Sequence, residues 1–126
     1  MTLSGSREDY LENLLILETR SGGFVRQVDM ASRMGFSKAS ISKAMSSLSA
    51  EGYVEFRPRG LVRLSNGGRK IAERVYDRHC FFFKVLTNLG IPTEIAQRDA
   101  CRMEHAMSEE SYQALKKELS SKMDVQ

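Results

Sequence analysis

The sequence predicts a mostly α-helical chain with a winged helix-turn-helix in its first half. Three observations carry this expectation. Short amphipathic segments follow one another across glycine turns, and a two-strand hairpin with an arginine-rich tip comes next. A strongly basic middle also lies between acidic flanks.

The elements follow in order. Ser6, with Asp9 three residues on, has an N-cap pattern, and Tyr10, Leu11, Leu14, Leu15 and Leu17 form one apolar helix face to about Arg20. Ser21-Gly22-Gly23 ends it. Val25, Val28, Ala31 and Met34 recur every three residues, which predicts a short helix over about 26–34, with Gly35 free to take the left-handed turn beyond it. Ser37 caps a third helix that turns Ile41, Met45 and Leu48 inward and Lys38, Ser40, Ser42, Lys43 and Ser46 outward. Glu51-Gly52 breaks it. Tyr53–Phe56 and Leu61–Leu64 read as strands joined through Arg57-Pro58-Arg59-Gly60, and Ser65–Gly68 closes the hairpin. A long helix is expected from about Arg69 to Leu89, stopped by Gly90 and Pro92. Thr93 caps another to about Met107, and Ser108 caps a last one to about Lys122.

Size and composition narrow the function classes. At 126 residues, 41% hydrophobic and 28% charged, the chain is globular and forms one domain or two small ones. The expected division is 1–70 and 71–126. No apolar run approaches the roughly 20 residues of a membrane span. Residues 1–10 lack a basic-then-apolar leader pattern, so a cytoplasmic location without membrane partners is expected. There, Cys80 and Cys101 read as free thiols or metal ligands rather than a disulfide framework. The chain is short for an enzyme with its own substrate pocket, and no spare general base stands out, so a binding module is expected.

The net charge of +3 is unevenly spread. Residues 1–19 carry one basic and four acidic side chains, residues 20–74 eleven and four, and residues 75–126 seven and eight. The basic middle suits a polyanion partner or a solvated basic surface. The helix-turn-helix favours the first reading, because the second helix of such a pair enters a major groove about 12 Å wide. Ser37, Lys38, Ala39, Ser40, Ser42 and Lys43 form its exposed face, small enough for close approach and able to meet phosphates and base edges. Arg57 and Arg59 at the wing tip reach a flanking phosphate or minor groove. Capping is expected of Ser37 as well as contact, a solvated turn is the alternative for the arginines, and winged helices also serve as protein-interaction modules.

A second cluster is compatible with metal chemistry. Cys101, Glu104 and His105 stand at i, i+3 and i+4 on one face of a predicted helix, offering thiolate, carboxylate and imidazole to a divalent transition metal. Asp9 and Glu12 could add oxygens from the first helix, and His79 stands on the long helix. Singly, each has a plain structural reading: Asp9 a cap, Cys101 a small core residue, Glu104 a surface carboxylate, His79 a satisfied histidine.

The chain resembles the metal-dependent repressors of the diphtheria toxin repressor and manganese transport regulator family. Glu8–Glu12, Ser37–Lys43, Arg59–Ser65, Arg78-His79 and, most specifically, Ala100–Ser108 carry the likeness, which spans about residues 5–120. It implies a winged helix-turn-helix DNA-binding domain followed by a helical metal-binding and dimerisation region. It implies a homodimer that binds double-stranded operator DNA once Fe²⁺ or Mn²⁺ is bound, and that represses metal-uptake genes. Carried over by position, Asp9, Cys101, Glu104 and His105 match the activating site, Asp9 as in the manganese branch and Cys101 as in the iron branch. Glu12 and His79 match ligands of a second metal. One turn after His79, however, stand Phe82 and Phe83 without a carboxylate, and Gln97 replaces a histidine ligand of the iron branch. One metal per subunit is therefore expected, Fe²⁺ first and Mn²⁺ second. The C-terminal SH3-like domain of the iron branch is not expected here. The alternatives are a winged-helix regulator with a degenerate metal site, a small metalloenzyme and a protein-interaction winged helix.

Overall fold

The computed structural model describes residues 5–123. The residues at either end, including the first four of the N-terminal segment read for a leader, lie outside it. Six helices, α1 (Gly5–Ser21), α2 (Gln27–Met34), α3 (Lys38–Ala50), α4 (Asn66–Asn88), α5 (Thr93–Met103) and α6 (Glu109–Met123), accompany strands β1 (Val54–Arg57) and β2 (Leu61–Leu64). The chain divides into two compact units, residues 1–73 and 74–126.

In the first unit the expected helix-turn-helix is present. Gly35 adopts φ 71°, and its N–H and that of Phe36 both bond Ala31 O, closing α2. Ser37 Oγ accepts the Ser40 N–H at 3.1 Å and starts α3. β1 and β2 pair antiparallel with Val54 opposite Leu64, and Val25 adds a third edge by exchanging two 2.9 Å bonds with Val62. Leu11, Leu14, Met30, Ile41, Met45, Leu48 and Val62 are at most 1% exposed, so the inward faces of all three helices and the wing share one core. Glu18 ties its edge: Oε2 accepts the Leu64 N–H at 2.7 Å and Oε1 pairs Arg69.

Several boundaries differ from the sequence expectation. Ser6 lies inside α1 rather than capping it. The long helix starts at Asn66, not near Arg69, because Ser65 Oγ accepts the Gly68 N–H at 3.1 Å and acts as its cap. Gly67 and Gly68 are thus helical, not hairpin closure. Gly68 is required by space: a Cβ there would sit 2.0 Å from Tyr53 O. Pro92, not Thr93, occupies the N-cap of α5.

The second unit packs Phe81, Phe82, Ala100 and Tyr112 into its own core. Here α5 stops at Met103, four residues short of the expected end. The reason is Arg78, a buried guanidinium on α4. Its Nη1 donates to Glu104 O at 3.2 Å and Met107 O at 2.7 Å, and Nη2 pairs Glu109. Carbonyls that an extended helix would satisfy with amides are satisfied by this cation instead, which also lies over the Tyr112 ring at 4.9 Å.

Candidate metal centre and nucleic-acid face

The early end of α5 shapes the metal site. Glu104 is the C-cap residue of α5, still helical with its N–H on Ala100 O at 3.0 Å, so it keeps the i, i+3 relation to Cys101, while His105 follows in the turn beyond the helix. Glu104 is completely buried, and neither of its oxygens has a hydrogen-bond donor among the described residues. Instead each oxygen faces an imidazole: Oε2 lies 3.2 Å from His79 Nδ1 and Oε1 lies 3.4 Å from His105 Nε2. These are charge contacts between a carboxylate and two imidazoles. Cys101 Sγ approaches the same His79 Nδ1 at 3.8 Å. The ligand atoms of His79, Cys101 and Glu104 all lie within 4.8 Å of one another.

A buried carboxylate without donors is costly unless a cation compensates it. Thiol, imidazole and carboxylate converging on one small volume form a donor set for Fe²⁺, Mn²⁺, Co²⁺ or Zn²⁺. The residues therefore fit a divalent metal. The same crowding acts on protons. The Cys101 sulfur, then the Glu104 carboxylate, push His79 up to about 11, against the opposing effect of burial. Across neutral pH the ring is thus protonated without metal, and a metal must displace that proton. Affinity should accordingly rise by roughly tenfold per pH unit between pH 6 and 8 for this proton alone, as read by calorimetry in two buffers of different ionisation heat. A pH-independent affinity would contradict it.

His79, expected at a separate second site, is thus grouped with Cys101 and Glu104. Asp9 and Glu12 lie on α1 in the first unit, half-buried and buried respectively.

The residues read from the sequence as a DNA-contacting face lie wholly within the first unit. Ser37, Lys38, Ala39, Ser40, Ser42 and Lys43 are all exposed. Ser37 Oγ accepts the Ser40 N–H at 3.1 Å, so its capping role holds, and the two hydroxyls also bond each other at 3.0 Å. The wing tip is a 3-10 turn, Pro58–Gly60, in which Arg59 adopts φ 67°. That left-handed conformation suits glycine better than arginine. Two residues missed in the sequence brace this tip. The Arg57 and Arg63 guanidinium groups lie 5.4 Å from the Phe24 ring centroid, and Gln27 Nε2 donates to Gly60 O at 2.8 Å. Both residues sit about 35 positions before the wing, where no local pattern connects them to it.

A reading head of this kind, linked in one chain to a helical unit with a transition-metal donor set, defines a winged-helix regulator responsive to metal. Residues 2–62 match the iron-dependent repressor N-terminal DNA-binding domain, and residues 65–122 match the metal-binding and dimerisation domain of the same repressors. The chain belongs to the iron-dependent repressor family.

It is similar to the transcriptional regulator MntR of Escherichia coli O6:H1, with 39% identity over 109 residues, 86% of this chain and 70% of that one. Among solved structures it is similar to IdeR of T. acidophilum (TM-score 0.79, 25% identity, 95% of this chain and 55% of that one). It is also similar to a manganese-dependent transcriptional repressor in complex with manganese (TM-score 0.78, 27% identity, 94% of this chain and 52% of that one). The chain thus spans little more than half the length of those two solved chains.

Proposed function

We propose that this chain is a transcriptional repressor activated by Fe²⁺ or Mn²⁺, which binds operator DNA as a homodimer and controls metal-uptake genes. The observation that carries the reading is the buried Glu104 carboxylate, without hydrogen-bond donors and flanked by His79, His105 and Cys101. The match to metal-binding and dimerisation domains and the likeness to MntR support the metal and the dimer. His79, Cys101, Glu104 and His105 hold the metal from the second unit. Asp9 and Glu12, by their place in the family pattern, supply oxygens from α1. Bound metal supplies positive charge that neutralises these acids.

What the protein's own residues do follows from their chemistry. Glu104 turns its two oxygens toward two imidazoles, and His79 gives up its proton as the site fills. Asp9 joins the segment that carries the reading head to this centre, which biases the two heads of a dimer toward operator spacing. Tighter metal binding to that state by a factor of 100, about 2.7 kcal/mol, suffices for a useful switch. Cys101 favours Fe²⁺, and Asp9 with Glu104 retains Mn²⁺. With Phe82 and Phe83 in place of an acidic partner, one tight ion per subunit is expected. Two equivalent tight sites in a calorimetric titration would refute that stoichiometry.

The test is operator binding by the whole chain, titrated with Mn²⁺, Fe²⁺, Co²⁺ and Zn²⁺. Apo protein that binds operator as tightly as loaded protein would sink the switch and favour a regulator with a degenerate site. On the DNA face, Lys43→Ala should lose discrimination at one base position. Arg59→Ala should weaken all sequences alike and flatten the salt slope by about one. If neither change alters affinity at moderate salt, the groove assignment is wrong.

A further inference from the structure

The two nitrogens of His79 have different neighbours. Nδ1 faces Glu104 Oε2 at 3.2 Å and Cys101 Sγ at 3.8 Å, whereas Nε2 lies 2.7 Å from Gln97 Oε1. An amide oxygen only accepts, so this short contact requires a hydrogen on Nε2. A neutral ring holding that hydrogen has its lone pair on Nδ1, the nitrogen on the side of the other two ligands. Gln97 stands four residues before Cys101 on α5, so one helix face presents both the thiol and the amide that bracket the ring. The Phe83 ring lies within 5° of parallel to the imidazole at a centroid distance of 6.5 Å.

We propose that Gln97 is the positioning residue of the metal centre: it holds His79 as the Nε2–H tautomer and thereby makes Nδ1 the ligand atom. The inference rests on reading His79, Cys101 and Glu104 as metal ligands, and it gives the chain a use for the position where the iron branch has a histidine. Partners of this kind set ligand orientation and basicity, and their loss weakens metal binding by about 10–100-fold. A neutral amide also leaves the imidazole a weaker donor than a carboxylate partner would.

The experiment uses the full chain with Zn²⁺, a diamagnetic probe. Long-range ¹H–¹⁵N spectra of the loaded protein should show His79 coordinated through Nδ1 and protonated at Nε2. Gln97→Leu, at an exposed helical position, should leave apo melting unchanged, weaken Zn²⁺ binding about 10–100-fold and let the Nε2 proton exchange freely. Gln97→Glu accepts the same hydrogen and should bind as tightly as the unaltered chain or more tightly. Coordination through Nε2, Gln97→Leu binding as well as the unaltered chain, or Gln97→Glu losing as much as Gln97→Leu would each overturn the inference. If the unaltered chain does not bind Zn²⁺, or binds it equally well as His79→Ala, the metal reading itself fails instead.

Discussion

Glu104→Gln is expected to lower metal affinity by at least about 100-fold and to abolish metal-dependent operator retardation. Glutamine keeps the volume and one acceptor oxygen but removes the anion, the feature that a divalent ion and two imidazoles share. The loss should exceed the roughly 10–100-fold typical of outer-shell partners, because Glu104 is placed to touch the ion itself. The apo protein should respond differently. Below the raised His79 value the apo carboxylate is compensated by the protonated ring 3.2 Å away, so the neutral isostere should melt at a somewhat lower temperature while remaining folded. His79, no longer beside an anion, should titrate below its present value of about 11. Calorimetry, melting and His79 chemical shifts read the three effects separately. A variant that binds metal normally would remove Glu104 from the site. A variant that loses metal together with the apo fold would make Glu104 a structural residue.

For Gly68→Ala, the expected result is a loss of about 3 kcal/mol in stability, with apo melting lowered by roughly 10 °C. A Cβ at Gly68 would meet Tyr53 O at 2.0 Å and Tyr53 C at 2.9 Å. These are backbone atoms, so neither can rotate away. Relief requires α4 to move off the turn before β1 and strains the Ser65 cap that starts the helix. Gly67→Ala is the matched control, because its nearest neighbours lie at 3.9 Å. Alanine there should be neutral or slightly stabilising, since it favours the helix over the unfolded chain. Equal melting of both variants would show that the close approach does not constrain the fold.

The sequence by itself determined the winged helix-turn-helix, the cationic recognition face and the identity of the metal-ligand candidates. Those features are written in local pattern: apolar spacing on α3, Ser37 before it, Gly35 at the turn, arginines at the wing tip. Each is decided by neighbours within one or two helical turns. Boundaries set by distant groups were not legible in this way. Gly67 and Gly68 read as a turn because glycine pairs usually are one, yet they are helical under the Ser65 cap, and position 68 is glycine because Tyr53, fifteen residues earlier, leaves no room for a side chain there. The helix expected to run to Met107 stops at Met103 because Arg78, on another helix, takes the carbonyls of Glu104 and Met107. Glu104 keeps the last N–H bond of the helix ladder, to Ala100 O at 3.0 Å, and its two oxygens face two histidines. The grouping of His79 with Cys101 and Glu104, and the pairing of its far nitrogen with Gln97, exist only once α4 and α5 have packed. Spacing along one helix shows which side chains share a face. Which faces meet is settled by the burial of Phe81, Phe82 and Tyr112 in the core of the second unit, an interaction no single segment contains.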